Sequence, residues 1–223
     1  MLRALADPYS FAVLLLSFVL AVTLLGWVSS SLAARTGDRG VRAEGRTRPD
    51  PRRHVDPFGT VGAVLGGLGW ARPLELGRSR PGRAVLVLLT GPLLLVAAGL
   101  GLVALVSADG ELVLGGGAVY ALQEGVGALE PGQEALLLLG LTFVFTGVLA
   151  LVPLPPLPGG VLLLALAPRT PGWQKAELQL VERNIGLAVL LALVLLPLGG
   201  PLPVLPSVLD EVLAPLLRAV SGG

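Results

Sequence analysis

The chain has 223 residues, of which 53% are hydrophobic and only 14% are charged, and its mean hydropathy is +0.81. A soluble domain carries about 25% charged residues, so this composition excludes an ordinary soluble protein. The net charge of +1 argues against a nucleic-acid partner, and the absence of cysteine excludes disulfides, thiolate metal sites and a cysteine nucleophile.

Long apolar runs predict membrane helices, because a helix needs about 20 apolar residues to cross a bilayer. Such runs lie near 11–34, 84–106 and 135–152, and a fourth near 180–198 is long enough with its flanking residues. The first run exceeds the roughly 7–15 apolar residues of a signal peptide, which favours an uncleaved helix. We therefore predict an all-α polytopic membrane protein in which 1–223 forms a single integral-membrane domain.

Basic residues sort into three stretches, at 35–53, 72–83 and 169–183, which hold 14 of the 16 Lys and Arg residues. The loop between the second and third predicted helices carries only acidic charges. By the positive-inside rule, the basic loops are cytoplasmic and the N-terminus is outside, in a multi-pass protein of the cell membrane. Trp70 and Trp173 flank basic loops and are interpreted as anchors at the lipid interface.

Two apolar segments, Asp56–Pro73 and Pro153–Pro168, begin and end on the same side in this topology. The first is rich in glycine and the second in proline, which removes backbone donors and breaks helices. Irregular backbone at membrane depth survives only where protein or a water-filled cavity covers it. Both segments are therefore predicted to be re-entrant or irregular and to meet inside the helical bundle.

Four sequence motifs in order carry a resemblance to a known family. They are HVDPFGT at 54–60, GWARPLEL at 69–76, TGPLL at 90–94 and LVPLPPLPGG at 151–160. Together with ERNIGLAVLLALVLLPLGG near the end of the chain, they resemble the short bacterial branch of the site-2 proteases, which are intramembrane zinc metallopeptidases. The resemblance implies a site-2-protease-like helical bundle. The motif residues retained here are His54, Asp56, Pro57, Gly59, Gly69, Trp70, Pro73, Gly91, Pro92, Pro153, Pro156 and Gly159.

The catalytic motifs of that family are replaced in this chain. The family's His-Glu-x-x-His places two zinc ligands on one helix face, and its glutamate activates the bound water. The matching positions hold Leu25, Gly26 and Ser29. In the motif that supplies the third ligand, Ala150 stands for the asparagine and Pro158 for the aspartate. The resemblance thus implies zinc, whereas the residues predict neither zinc nor any other cofactor and no catalytic residue.

His54 is the single histidine of the chain. A metal site made of His54, Asp50 and Asp56 is conceivable, but the surrounding arginines disfavour a cation. The preferred interpretation is a turn residue at the membrane edge, with Asp56 and Pro57 as cap and first residue of the next helix.

These observations predict an inactive homologue of the site-2 proteases, a pseudoprotease that binds or scaffolds a transmembrane protein in the bilayer. One alternative is an active intramembrane metalloprotease with an atypical site. Another is a small transporter, which is disfavoured because the runs 11–34, 84–106 and 135–152 contain no ionisable residue for a relay or substrate site.

Overall fold

The computed structural model of the chain describes residues 7–74, 76, 80–108, 117–124, 129–168, 170–197 and 203–221. Within these ranges the elements are helices, and strand-like pairing is limited to one bridge between Val55 and Ala71. The helices are α1 (Pro8–Arg35), α2 (Arg39–Ala43), α3 (Pro51–His54), α4 (Pro57–Val61), α5 (Pro81–Ser107), α6 (Ala118–Glu124), α7 (Pro131–Leu151), α8 (Pro158–Leu166), α9 (Pro171–Glu177), α10 (Ile185–Leu195) and α11 (Val204–Ser221). Two π-helical turns, Gly62–Gly66 and Leu178–Glu182, continue α4 and α9.

Three helices, α1, α5 and α7, are long and apolar enough to cross a membrane, and the bent pair of α9 and α10 can supply a fourth span. The chain is therefore a polytopic helical membrane protein, as its composition predicts. Each long helix begins three or four residues before the predicted apolar run. The reason is that each has proline in its first turn, where the missing amide costs no hydrogen bond and the fixed φ favours the helix.

Helix α7 lies at the centre of the bundle and packs against both α1 and α5. Glycines allow the backbones of α5 and α7 to approach closely, as is common between membrane helices. A Cβ at Gly99 would lie 2.5 Å from the Gly140 carbonyl oxygen, and one at Gly147 would lie 2.8 Å from the Pro92 carbonyl oxygen. Helix α5 instead turns leucines such as Leu93 and Leu94 outward, where lipid would surround them.

The segment 55–71 forms a hairpin, which we call the re-entrant hairpin. Its outgoing limb is helical, made of α4 and the π-helical turn, and Gly67 reverses the chain with φ +82°. Its return limb runs back to the start, where Val55 pairs with Ala71 and the Arg72 amide donates to the His54 carbonyl at 2.7 Å. The segment thus returns to the point where it began, although half of it is helix.

The proline-rich segment is shorter than predicted. Residues 152–157 are irregular, but α8 starts at Pro158. The prediction of irregular backbone through Pro168 is therefore wrong for the residues of α8. Pro158 is tolerated because it occupies the first turn of the helix. The Pro155 carbonyl lies against Gly186 of α10, where a Cβ would be 3.2 Å from the Pro155 carbonyl carbon.

The fourth predicted helix, near 180–198, is not continuous. Asn184 adopts the left-handed conformation with φ +54° and separates the π-helical turn of α9 from α10, with a bend of 62°. Helix α10 ends at Leu195, two residues before Pro197, because proline cannot continue a helix.

Helices α6 and α11 were not predicted from the sequence. Helix α11 buries Leu205, Leu209, Leu213 and Leu217, which recur every four residues on one face. The Asp210 carboxylate accepts a hydrogen bond from the Val119 amide at 3.1 Å, in the first turn of α6. This contact ties the end of the chain to the loop between α5 and α7.

Candidate functional site

The three positions that match the family's first catalytic motif are buried on α1, where they face α3 and α5. Leu25 is 2% exposed, and Gly26 and Ser29 are also buried. A Cβ at Gly91 of α5 would lie 2.8 Å from Ser29 Oγ and 3.0 Å from Leu25 Cδ1. Gly91 is one of the retained motif residues, so the structure brings a retained position directly against two replaced ones.

His54 fills the space beside Gly26. A Cβ at Gly26 would lie 2.9 Å from His54 Cγ, and it would be closer still to Nδ1. The histidine is 0% exposed and lies in a helix, so its interpretation as a turn residue is wrong, while its place at the membrane edge stays a prediction. It ends the short helix α3, and α3 packs against α1 because the glycine leaves room for the ring.

The hydrogen bonds of His54 define its protonation. Nε2 lies 3.0 Å from the Arg48 carbonyl oxygen, which can only accept, so Nε2 carries the proton. Burial lowers the pKa of His54 below its ordinary value, and the positive charge of Arg46 adds to this effect, although the Arg48 carbonyl opposes it. The ring is therefore neutral at pH 7, and Nδ1 is a buried acceptor without a partner among the described residues.

The retained residues after His54 build the re-entrant hairpin. Asp56 Oδ1 accepts from the Gly59 amide at 2.7 Å, and Pro57 is in the first turn of α4, which confirms the predicted cap and start. A Cβ at Gly59 would lie 3.0 Å from the backbone nitrogen of Trp70 and would overlap its carbonyl oxygen. The two limbs are thus in backbone contact at this glycine.

Trp70 is 2% exposed and belongs to the core, so its predicted role as an interfacial anchor is wrong. Its ring packs on the hairpin, where a Cβ at Gly62 would be 2.9 Å from Cζ3. Burial of this large ring fixes the position of the return limb. Trp173, by contrast, is only half-buried, in α9.

Arg46 holds the base of the hairpin and was missed from the sequence. Its guanidinium donates to the carbonyl oxygens of Pro73, at 2.8 Å, and of Arg72, at 2.9 Å. The side chain is buried, unlike most of the arginines around it. No sequence signal separates it from those neighbours, because its partners are backbone carbonyls.

The two positions that the sequence spacing matches to the motif of the third ligand lie at the junction of α7 and α8. Ala150 is buried near the end of α7, and Pro158 is half-buried at the start of α8. A Cβ at Gly159 would lie 2.5 Å from the Leu151 carbonyl carbon, so this glycine lets α8 fold back on the end of α7. Pro153 is exposed and Pro156 is half-buried in the turn between them.

Helix α5 contacts both the helix that carries Leu25, Gly26 and Ser29 and the helix that begins at Pro158. It packs against α1 on one side and against α8 on another, and it carries Gly91 and Pro92. Ser29 Oγ and Ser30 Oγ on α1 are buried without a hydrogen-bond partner among the described residues. The interior around the replaced positions therefore offers a glycine, neutral hydroxyls and one neutral imidazole, with aliphatic side chains around them.

Comparison with known proteins gives one substantial match. The Bacillus subtilis (strain 168) protein named "Putative zinc metalloprotease YwhC" is 33% identical over 201 residues, which cover 86% of this chain and 83% of that protein. No family profile matches the chain. No solved structure matches it either.

Proposed function

Because this chain belongs to the zinc metalloprotease-like family that includes YwhC, we propose that it is a site-2-protease-like membrane protein without a working catalytic centre. The observation that carries this proposal is the contact between His54 and Gly26. The position that supplies the general base in the site-2 proteases here has no side chain, and the ring of a retained residue occupies the adjacent space.

The first chemical requirement of such a protease is a general base, and Gly26 replaces the glutamate that supplies it in the site-2 proteases. A general base must lie within hydrogen-bond reach of the water that it deprotonates. Gly26 offers no such group, and the neutral His54 donates its Nε2 proton to the Arg48 carbonyl. Its free acceptor, Nδ1, faces the α1 backbone at Gly26, where no water has room.

The second requirement of such a protease is a bound metal, which needs side chains with suitable donor atoms. A catalytic zinc site uses three protein ligands, drawn from histidine, cysteine and carboxylate side chains. Leu25 and Pro158 have no donor atom, and Ser29 offers only a neutral hydroxyl. These residues do not fit zinc, so we propose that the chain holds none at this position, and we assign no catalytic step to a metal.

A binding role accounts for what the chain retains. The re-entrant hairpin, its buried Trp70 and the junction at Gly159 keep their close packing although no ligand depends on them. The sequence predicts that the two irregular segments meet inside the helical bundle, where protein covers their backbone. We propose that this pseudoprotease binds a transmembrane segment of a partner protein in the cell membrane and leaves it uncut.

Purification of the tagged full chain from native membranes, after cross-linking, tests this function. We expect a transmembrane protein to co-purify at its full length, and its length to be unchanged in a strain that lacks the chain. A partner that is cut within its membrane span only when the chain is present would contradict the proposal. That result would favour an active metalloprotease with an atypical site.

A further inference from the structure

A surface depression of about 490 Å³ lies below the re-entrant hairpin. It is lined by Glu44, Arg46, Asp50, Arg52, Arg53 and Arg72. Four guanidinium groups face two carboxylates, which leaves an excess of positive charge. The depression is thus a concave surface suited to an anion.

The lining arginines fall into two kinds. Arg46 is bound to backbone carbonyls and lies 3.9 Å from Glu44, and Arg53 lies 3.6 Å from Asp50, so both carboxylates already have a cation nearby. Arg52 and Arg72 are exposed, and neither guanidinium has a hydrogen-bond or ion-pair partner among the described residues. These two side chains carry the positive charge that no carboxylate of the described residues compensates.

The length of α1 relates the position of the depression to that of the lipid headgroups. The loop that lines it folds back along α1, because Trp27 Nε1 donates to the Thr47 carbonyl at 3.0 Å and His54 packs on Gly26. Gly26 is about 27 Å along α1 from Pro8, at about 1.5 Å per residue. Since the hydrocarbon core is about 30 Å thick, this level coincides with one of its edges when the capped start of α1 lies at the other.

We propose that the depression binds the headgroup of an anionic phospholipid, with Arg52 and Arg72 as the principal contacts to its phosphate. A guanidinium matches a phosphate group with two parallel hydrogen bonds, and arginine is the preferred residue for such recognition. Basic pockets beside membrane helices have the charge and position to bind acidic headgroups. Because Arg72 adjoins the bridge between Val55 and Ala71, a bound lipid would hold both ends of the re-entrant hairpin.

Lipid titration of the purified full chain, followed by native mass spectrometry, tests this site. The chain is delipidated in a neutral detergent and titrated with phosphatidylglycerol or with phosphatidylcholine. We expect phosphatidylglycerol to bind more tightly. The double variant Arg52→Gln/Arg72→Gln should lose about thirtyfold in that affinity, and each single variant should lose less.

The matched control is Arg35→Gln/Arg39→Gln, which removes the same charge from exposed arginines at the same end of α1. It should keep the affinity for phosphatidylglycerol, and inorganic phosphate at equal ionic strength should not displace the lipid. Equal losses in both double variants, equal binding of the two lipids, or displacement by inorganic phosphate would each overturn the proposal. An acidic peptide, poly-glutamate, that binds through Arg52 and Arg72 in place of lipid would overturn it too.

Discussion

Gly26 has no side chain, and the His54 ring lies beside its Cα with no space between them for a methyl group. The ring is anchored at its far side, because Nε2 is bonded to the Arg48 carbonyl. It therefore has little freedom to retreat. The pair forms a rigid contact between α1 and the loop that leads into the re-entrant hairpin.

Gly26→Ala should therefore destabilise the protein by about 1–3 kcal/mol, the usual cost of overpacking a core. Unfolding in mixed detergent micelles measures the change. The control is Gly101→Ala, on the exposed face of α5 with open space around it, which should keep or slightly raise the stability.

A double-mutant cycle then tests whether the cost comes from the histidine. His54→Ala removes the ring, so adding Gly26→Ala to that variant should cost much less than it does in the native chain. Equal costs in the two backgrounds would contradict the contact described here.

The buried neutral His54 predicts a dependence of stability on pH. Its folded pKa is lowered by burial and by Arg46 and Arg53, against the opposing effects of the Arg48 carbonyl and Asp50. The unfolded chain binds a proton below about pH 6.5 that the folded chain excludes. The stability that comes from a neutral His54 is therefore fully present above that pH. As the pH drops below it, the free energy of unfolding falls by up to about 1.4 kcal/mol per pH unit.

Melting temperatures between pH 7.5 and 5.5, a range set by the reference pKa of about 6.5, check this dependence. Because the chain has one histidine, His54→Ala provides a direct comparison and should flatten the curve. A native protein whose melting temperature is the same across this range would show that the ring is not held neutral.

The sequence predicts the replaced residues of the site but not the contacts that they make. Leu25, Gly26, Ser29 and Pro158 are assigned to the replaced positions by their spacing from the retained motifs, and this assignment stays a prediction. The position of His54 against Gly26 depends on how a loop 28 residues later in the chain folds back. Nothing in the local pattern of HVDPFGT encodes that return, and the sequence instead favours a turn residue at the membrane edge.

Among the elements, the re-entrant hairpin is the one whose position depends most closely on tight packing. Gly59 and Gly69 face each other across the two limbs, and a Cβ at Gly69 would also lie 2.6 Å from Phe18 of α1. The limbs can approach to this distance only because both positions lack a side chain.

Gly59→Ala should be more damaging than Gly26→Ala, because the overlapping atoms belong to the Trp70 backbone, which cannot shift without separating the two limbs of the hairpin. We expect a loss of about 3 kcal/mol, the upper part of the range for overpacking. Gly82→Ala, in the first turn of α5 with nothing within 4 Å, is the control and should melt like the native chain. Native stability in Gly59→Ala would show that the two limbs are not in backbone contact.

The elements differ in how far the sequence predicts them. Apolar length finds α1, α5 and α7, because a membrane helix must satisfy all its backbone groups internally. It does not find α11, whose polar face interrupts the apolar run, or α8, which starts at the last of four prolines. The break at Asn184 is also not found from the sequence. Asn184 adopts the left-handed conformation in the structure, but in the sequence it looks like any other polar residue at the start of a helix.

At the scale of the whole molecule, the arginine distribution predicts which parts lie on each side of the membrane. Arg39 and Arg80 should lie on the cytoplasmic side, before and after the re-entrant hairpin, and Glu130 on the outer side. The closure of the hairpin by the Val55–Ala71 bridge supports the placement of its two ends on one side.

Single cysteines at these exposed positions test the topology without background, since the chain has no native cysteine. A membrane-impermeant maleimide should label Glu130→Cys in intact cells, and Arg39→Cys and Arg80→Cys only after permeabilisation. Labelling of Arg39→Cys and Arg80→Cys from opposite sides would mean that the hairpin crosses the membrane.

The zinc content of the purified full chain, expressed with zinc in excess, shows whether the replaced positions can still hold a metal. The relative YwhC carries zinc metalloprotease in its name, whereas Leu25, Gly26, Ser29 and Pro158 of this chain supply no ligand set for that metal. We predict far less than one zinc per chain by elemental mass spectrometry. One tightly bound zinc per chain, lost in His54→Ala, would contradict the account and would make His54 a ligand.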